Sequence, residues 1–237
     1  MFAQDCPSIE DSASRRDCWI QAAREGTRNM RDANLTQTAF SGLNFSNIDF
    51  SDADFSGANL ATTNFSKAIL ERVNFEGAQM NECNLTVAIL TETNMQGINL
   101  SKANLTGAKL DGVKLSGANL SEATLNFSFV CLGHFKGANL SAAKITKAKI
   151  WRSDMREANL SGANLRKTFF FESNLSGANL SRADLKDANL LGTNLIGTDL
   201  TEADLSGANL TNALINQTTK GIDILWAIRQ GAIFQEQ

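Results

Sequence analysis

Ala158-Asn159-Leu160-Ser161-Gly162 is one unit of a pattern that runs from residue 34 to 216 and decides the fold. In every unit a bulky apolar residue stands at a multiple of five. The series is Leu35, Phe40, Phe45, Phe50, Phe55 and onward to Leu205, Leu210 and Ile215, 37 positions without a gap. At a hydrophobic content of 43%, chance would produce such a run about once in 10^14 trials. A helix needs apolar spacing near 3.6 and a simple strand needs 2, so a period of five is neither. It suits a short extended piece followed by a turn, repeated.

A second signal lies two residues before each centre. It reads Ala33, Thr38, Leu43, Ile48, Ala53, Ala58 and stays small or apolar to Ala213. Two inward side chains around one outward residue is local strand alternation. The residue between them is often Asn or Asp, as at Asn34, Asn44, Asp54 and Asn59. The position two after the centre is often Gly, as at Gly42, Gly57 and Gly77. These are the residues that turns need for local backbone bonds and unusual dihedrals. No unit can bury its centre alone, so successive turns must stack.

The unit A-(N/D)-L-x-x, clear in Ala58-Asn59-Leu60, Ala118-Asn119-Leu120-Ser121 and Ala178-Asn179-Leu180-Ser181, resembles the pentapeptide-repeat family. The resemblance implies an all-β solenoid: a right-handed quadrilateral β-helix with four units per coil and about nine coils, closed by short helical caps. It divides the chain into an N-terminal cap at 1–30, a β-helix at 31–217 and a C-terminal cap or dimerisation segment at 218–237. The array carries no inserted loop, although some family members have projecting ones.

Outside the array, Asp11-Ser12-Ala13 starts a predicted helix with Trp19, Ile20, Ala22 and Ala23 on a partly apolar face and Gly26 at its end. Cys6 and Cys18 are a candidate disulfide pair in this cap, with two reduced cysteines as the alternative. Cys83 falls at an inward position and Cys131 at an outward one. Beyond Asn216, Thr218-Thr219-Lys220-Gly221 reads as a connection and residues 222–228 as a short helix. Ile222, Leu225, Trp226, Ile228 and Phe234 form a candidate end cap or homodimer patch, since some family members pair through this end. The start, Met1-Phe2-Ala3, reads equally as a natural N-terminus or as a mature chain with an added Met. No signal peptide or apolar run long enough to span a membrane is evident. The expected location is cytoplasmic, or periplasmic or lumenal if Cys6 and Cys18 are bridged and a signal peptide has been removed.

The net charge of −3 conceals a partition. Residues 31–100 carry 3 basic and 8 acidic side chains, residues 101–167 carry 11 and 4, and residues 168–215 carry 2 and 6. The solenoid thus has a waist of +7 between acidic ends, a field that can orient a charged partner.

With a coil of 20 residues, positions 20 apart stack. On the face centred on Leu110, Val130, Ile150 and Phe170, outward positions that elsewhere hold Asn, Asp or Ser hold aromatic and basic residues. Phe127, Phe129, Trp151, Phe169, Phe171 and Leu191 converge there beside Lys147, Lys149, Arg152 and Lys167. A contiguous exposed apolar patch marks a contact surface, and aromatic residues and arginine are favoured there. Packing of these side chains over one another is the plainer alternative.

Chemistry is otherwise missing from the sequence. His134 is the only histidine, and no CxxC, HExxH, phosphate-binding or dinucleotide motif occurs. No catalytic residue, cofactor or metal site is assigned. The expected function is a non-enzymatic scaffold binding a protein through a flat face, with nucleic acid not expected as a partner. The alternatives are a DNA mimic on a type II topoisomerase, as the resemblance to fluoroquinolone-resistance proteins implies, or a secreted or lumenal structural protein.

Overall fold

The computed structural model describes Cys6 and residues 11–236. Residues 1–5 and 7–10 of the expected N-terminal cap, and Gln237, lie outside the described residues. The elements in chain order are helix α1 (Ser12–Arg24), strands β1 (Phe129–Cys131), β2 (Lys149–Trp151) and β3 (Leu214–Ile215), helix α2 (Ile224–Arg229) and strand β4 (Ile233–Phe234). Most of the chain is instead single-residue parallel bridges, one per five-residue unit. Asn29 pairs with Asp49, Asn34 with Asp54, Ala39 with Asn59, and the offset of 20 holds to the pairing of Asn194 with Leu214.

The residue before each centre is the bridge. Phe40 N–H donates to the Asn59 carbonyl at 2.8 Å, and Asn59 N–H returns a bond to the Thr38 carbonyl at 2.8 Å. Away from the two ends, wall residues are thus tied to the coils before and after them. A corner follows each centre: Ala58 N–H donates to the Phe55 carbonyl across Gly57, whose φ is 66°. Glycine accepts this left-handed geometry freely, yet Thr62, Lys102 and Glu122 adopt it too. The outward Asn shores up the wall twice. Asn99 Oδ1 accepts from Ser101 N–H at 3.1 Å and from Asn119 Nδ2 at 3.4 Å, and Asn119 Oδ1 repeats both bonds with Ser121 and Asn139.

The centres fill the interior. All those from Leu35 to Ile215 are buried except Leu205, which is half-buried. Each buried Leu or Phe contributes about 1.5–3 kcal/mol of transfer free energy. From Phe40 to Phe75 the rings form one network, with Phe55 stacked on Phe75 at 5.3 Å and edge-on to Phe50 at 5.1 Å. The inward position before each centre is most often Ala, with Thr, Ser, Val or Ile in other units, because the wall stands close to the centres. Threonine fits there because its hydroxyl reaches back to the previous coil: Thr63 donates to the Phe40 carbonyl at 2.8 Å and Thr193 to the Phe170 carbonyl at 2.8 Å.

At the N-terminal end, Asp11 caps α1 by accepting from Ser14 N–H, and Gly26 follows the helix with φ 90°. Trp19 and Ala22 are buried against the core, and Cys6 is joined to Cys18 by a disulfide. At the other end the period slips by one residue. Asp199 pairs with Lys220, an offset of 21, so the expected connection is itself part of the wall. A Cβ on Gly221 would lie 2.3 Å from the Thr201 backbone nitrogen, which makes this the closest backbone approach of the glycines described. The following helix begins at Ile224, two residues later than expected, because Asp223 accepts from Leu225 and Trp226 N–H and sets its start. β4 then pairs in parallel with β3.

Candidate functional site

The aromatic and basic residues expected on one wall are brought together, and the wall changes form where they occur. At the corner after Val130 the N–H of Gly133 donates to Ser153 Oγ at 3.1 Å, and at the next coil Ser153 N–H donates to Ser173 Oγ at 3.2 Å. Ser153 and Ser173 in turn donate to the Trp151 and Ile150 carbonyls. Serine hydroxyls therefore take over the bonds that close an ordinary corner. The backbone stays extended for three residues, which creates β1 and β2. Gly133 sits under this corner because a Cβ there would meet Val130 Cγ1 at 2.6 Å and Phe135 at 2.7 Å.

Bridge pairing orders the outward side chains into columns. Lys109, Phe129, Lys149 and Phe169 follow one another in one column. Cys131 and Trp151 pair in the next, and Phe171 and Leu191 continue it through the bonds from Arg152 N–H to the Phe171 carbonyl and from Glu172 N–H to the Leu191 carbonyl. Phe129 meets Trp151 edge-on at 5.3 Å. Lys147 Nζ lies over the Phe127 ring at 5.4 Å, and Lys149 Nζ over the Trp151 ring at 5.7 Å. Both distances are within cation–π reach.

Trp151, Phe169 and Phe171 line an almost wholly apolar groove of about 440 Å³ with Cys131, Arg152 and Asn189. A second groove of about 430 Å³ lies across Trp151, lined by Phe129, Cys131, Leu132, Asp111 and Glu92 among others. Phe127 is 59% exposed and Phe169 40% exposed, whereas Phe129, Trp151, Phe171 and Leu191 are half-buried. The rings thus pack together and still present a surface. Leu191 extends the column without lining a groove, and Lys167 stands outside both.

Arg152 differs from the expectation of a free cation. Its Nε donates to Glu172 at 2.8 Å, and that carboxylate raises the guanidinium pKa further. Among the described residues no carboxylate lies within 4 Å of the ammonium groups of Lys109, Lys147, Lys149 or Lys167, so these four cations stand outside any ion pair. Sequence reasoning missed Leu132, a 59% exposed apolar side chain at a corner with φ 57°. Its signal was a leucine in a column otherwise holding Gly, Asn and charged residues. Cys131 is a free thiol shared by both grooves. Cys83 is buried, and burial pushes its thiol up to about 12.

The C-terminal candidates form a separate group. Leu225 (68% exposed), Ile228, Ile233 and Phe234 are exposed, while Ile222 and Trp226 are half-buried. Among the described residues no cluster of three His, Cys, Asp or Glu side chains could hold a metal ion, and no helix is long and apolar enough to cross a membrane.

Two family models match the chain. One, described as pentapeptide repeats, covers residues 88–126, 98–137, 138–177 and 178–217. The other, described as a pentapeptide repeat region, covers residues 28–105. Similar solved structures include HetL, a pentapeptide repeat protein involved in heterocyst differentiation regulation from the cyanobacterium Nostoc sp. strain PCC 7120. It is 28% identical over 84% of this chain and 96% of that one, with a TM-score of 0.67. A second Nostoc pentapeptide repeat protein, alr5209, is 37% identical over 43% of this chain and 84% of its own, at a TM-score of 0.40. Trypsin-treated QnrB1, a plasmid-mediated fluoroquinolone resistance protein, is 21% identical over 87% of this chain and 91% of its own, at 0.47. No curated protein matches.

Proposed function

The chain belongs to the pentapeptide-repeat family, and on that premise we propose that it is a non-enzymatic scaffold whose aromatic–lysine wall binds a protein partner. One observation carries this reading. Phe129, Trp151, Phe169 and Phe171 project outward on a single wall where the repeat elsewhere places mostly Asn, Asp and Ser, and Phe127 projects from the corner that leads into it. The core gains nothing from them, because the centres Val130, Ile150 and Phe170 already fill it. Large aromatics around an apolar groove, with cations at the margin, are the composition of an interface centre. The likeness to HetL, a protein of regulation, agrees with a binding role.

The proposal includes the finer architecture: a right-handed, four-sided helix of about nine coils at residues 31–217, with capping segments at 1–30 and 218–237. The exposed Leu225, Ile228, Ile233 and Phe234 support self-association through the C-terminal end. The Cys6–Cys18 disulfide supports an oxidising compartment, periplasmic or lumenal.

A second reading, a DNA mimic acting on a type II topoisomerase, draws on the acidic segments at 31–100 and 168–215. The +7 waist between them breaks the phosphate-like field, so this reading ranks second. Gyrase supercoiling with and without a fluoroquinolone separates the two, and protection at micromolar protein would favour the mimic. The main reading is tested by capture of partners on the wild type and on Trp151→Ala/Phe171→Ala. The variant should lose partners that the wild type retains, and equal recovery removes the claim.

A further inference from the structure

We infer that this wall receives an acidic amphipathic helix, about ten residues of it, lying along the solenoid axis. The inference rests on the protein-binding reading above and specifies its partner. Three observations lead to it.

The first is that the wall offers no backbone for pairing. Phe129 and Lys149 N–H donate to the Ala108 and Ser128 carbonyls at 3.0 and 2.9 Å, and Ile150 and Arg152 N–H to the Phe169 and Phe171 carbonyls at 2.7 and 2.9 Å. An extended peptide would leave its own N–H and C=O groups without partners over the apolar groove, and buried backbone groups require them. A helix satisfies its backbone internally and needs only side-chain contacts.

The second is spacing. The column Cys131, Trp151, Phe171, Leu191 spans three coil steps of about 4.8 Å each, roughly 14 Å. A helix rises about 5.4 Å per turn, so successive turns fall over successive coils and drift less than about 2 Å over the column. That span corresponds to about ten helical residues.

The third is asymmetry of charge. The apolar column is flanked on one side by Lys147, Lys149 and Lys167, which lack carboxylate partners among the described residues. On the other side Arg152 is neutralised by Glu172 at 2.8 Å. A helix with an apolar stripe and carboxylates along one flank complements both columns, and its charge fixes its orientation. A cationic or uncharged helix would leave the lysine side without a partner.

The test uses a phage-displayed library of random 14-residue peptides selected on the full chain. Binders are then measured by fluorescence anisotropy against Trp151→Ala/Phe171→Ala, Lys147→Glu/Lys149→Glu/Lys167→Glu, and the matching triple Lys→Arg variant. All these positions are outward, and each variant is checked by its thermal melt. Expected are peptides that lose at least tenfold in affinity with the aromatic variant, carry apolar residues at i, i+3 or i+4 and i+7 with flanking Asp or Glu, become helical on binding, weaken at least tenfold with the Glu triple and change less than threefold with the Arg triple. Peptides sensitive to the aromatic variant but indifferent to charge reversal, or bound in extended form, overturn the acidic helix and leave the protein-binding wall standing. Displacement of every selected peptide by a 15-mer oligothymidylate or by phosphatidylglycerol vesicles assigns the wall to a nucleic acid or a lipid surface and overturns both the acidic helix and the protein-binding reading. Absence of any peptide sensitive to the aromatic variant removes the wall as a binding site and this inference with it.

Discussion

Phe55 is the most informative core position to perturb. It is fully buried and touches four other rings: Phe40 at 6.2 Å, Phe50 at 5.1 Å, Phe65 at 5.9 Å and Phe75 at 5.3 Å. Phe55→Ala removes a buried side chain and leaves a void that bonded coils on both sides cannot collapse, at a cost of about 3–5 kcal/mol. Phe55→Leu keeps a residue that other coils use as a centre and should cost about 1–2 kcal/mol, chiefly the lost ring contacts. Because each coil contacts only its neighbours, the loss should stay local. Hydrogen exchange followed by mass spectrometry reads this directly. At about 3 kcal/mol, amides of residues 35–95 should exchange roughly 100-fold faster in the alanine variant, with residues 135–215 unchanged. A cost under about 1 kcal/mol, or equal acceleration along the whole chain, would refute the reasoning.

Three further outcomes follow from particular contacts. Gly221→Ala should destabilise the C-terminal end by more than about 2 kcal/mol, since both a left-handed φ of 73° and backbone atoms at 2.3–2.5 Å oppose it. Gly97→Ala, with φ 63° and nothing within 4 Å, should cost only about 1 kcal/mol, and paired melts check the difference. Val87 holds φ 59° at an exposed corner, an unfavourable place for a β-branched residue, so Val87→Gly should stabilise by about 0.5–1 kcal/mol in a thermal melt. Acid should destabilise the protein. Asp204 is lowered to about 2, first by the Ser206 side chain, then by its backbone N–H and by Lys186. Asp52 and Asp154 are lowered by hydrogen bonds from Arg72 and Arg156. The native state therefore binds fewer protons than the unfolded chain below about pH 4. Stability from these groups is present above their ordinary value of 3.8 and is lost as pH falls toward 2. Melts at constant ionic strength from pH 7 to 2 should show a plateau and then a fall.

The repeat was legible in the sequence because one physical requirement, a buried side chain per unit, recurs at a fixed interval. Leu35 to Ile215 occupy the interior as their spacing predicts. The family's 20-residue coil then placed Phe129 beside Lys149 and Trp151 beside Cys131. What escaped was set by contacts between coils. Arg152 and Glu172 are 20 apart, and side-chain reach decides whether they pair. The extended corners at Val130 and Ile150 depend on the hydroxyls of Ser153 and Ser173, residues that look like any small inward residue. The slip at Lys220 follows the end of the apolar beat, where no periodic signal is left to read. Leu205 is half-buried because it stands at the end of its column, with Trp226 of α2 across an open groove.

The claim that the aromatic–lysine wall does the recognising is tested most directly by photo-crosslinking in the cells that make the protein. A benzophenone amino acid would replace Phe171 on that wall or Ser181, half a coil away on the Asn–Ser wall. The account predicts a discrete partner adduct from position 171 and none from 181. Adducts of equal yield from both positions, or from 181 alone, would contradict it.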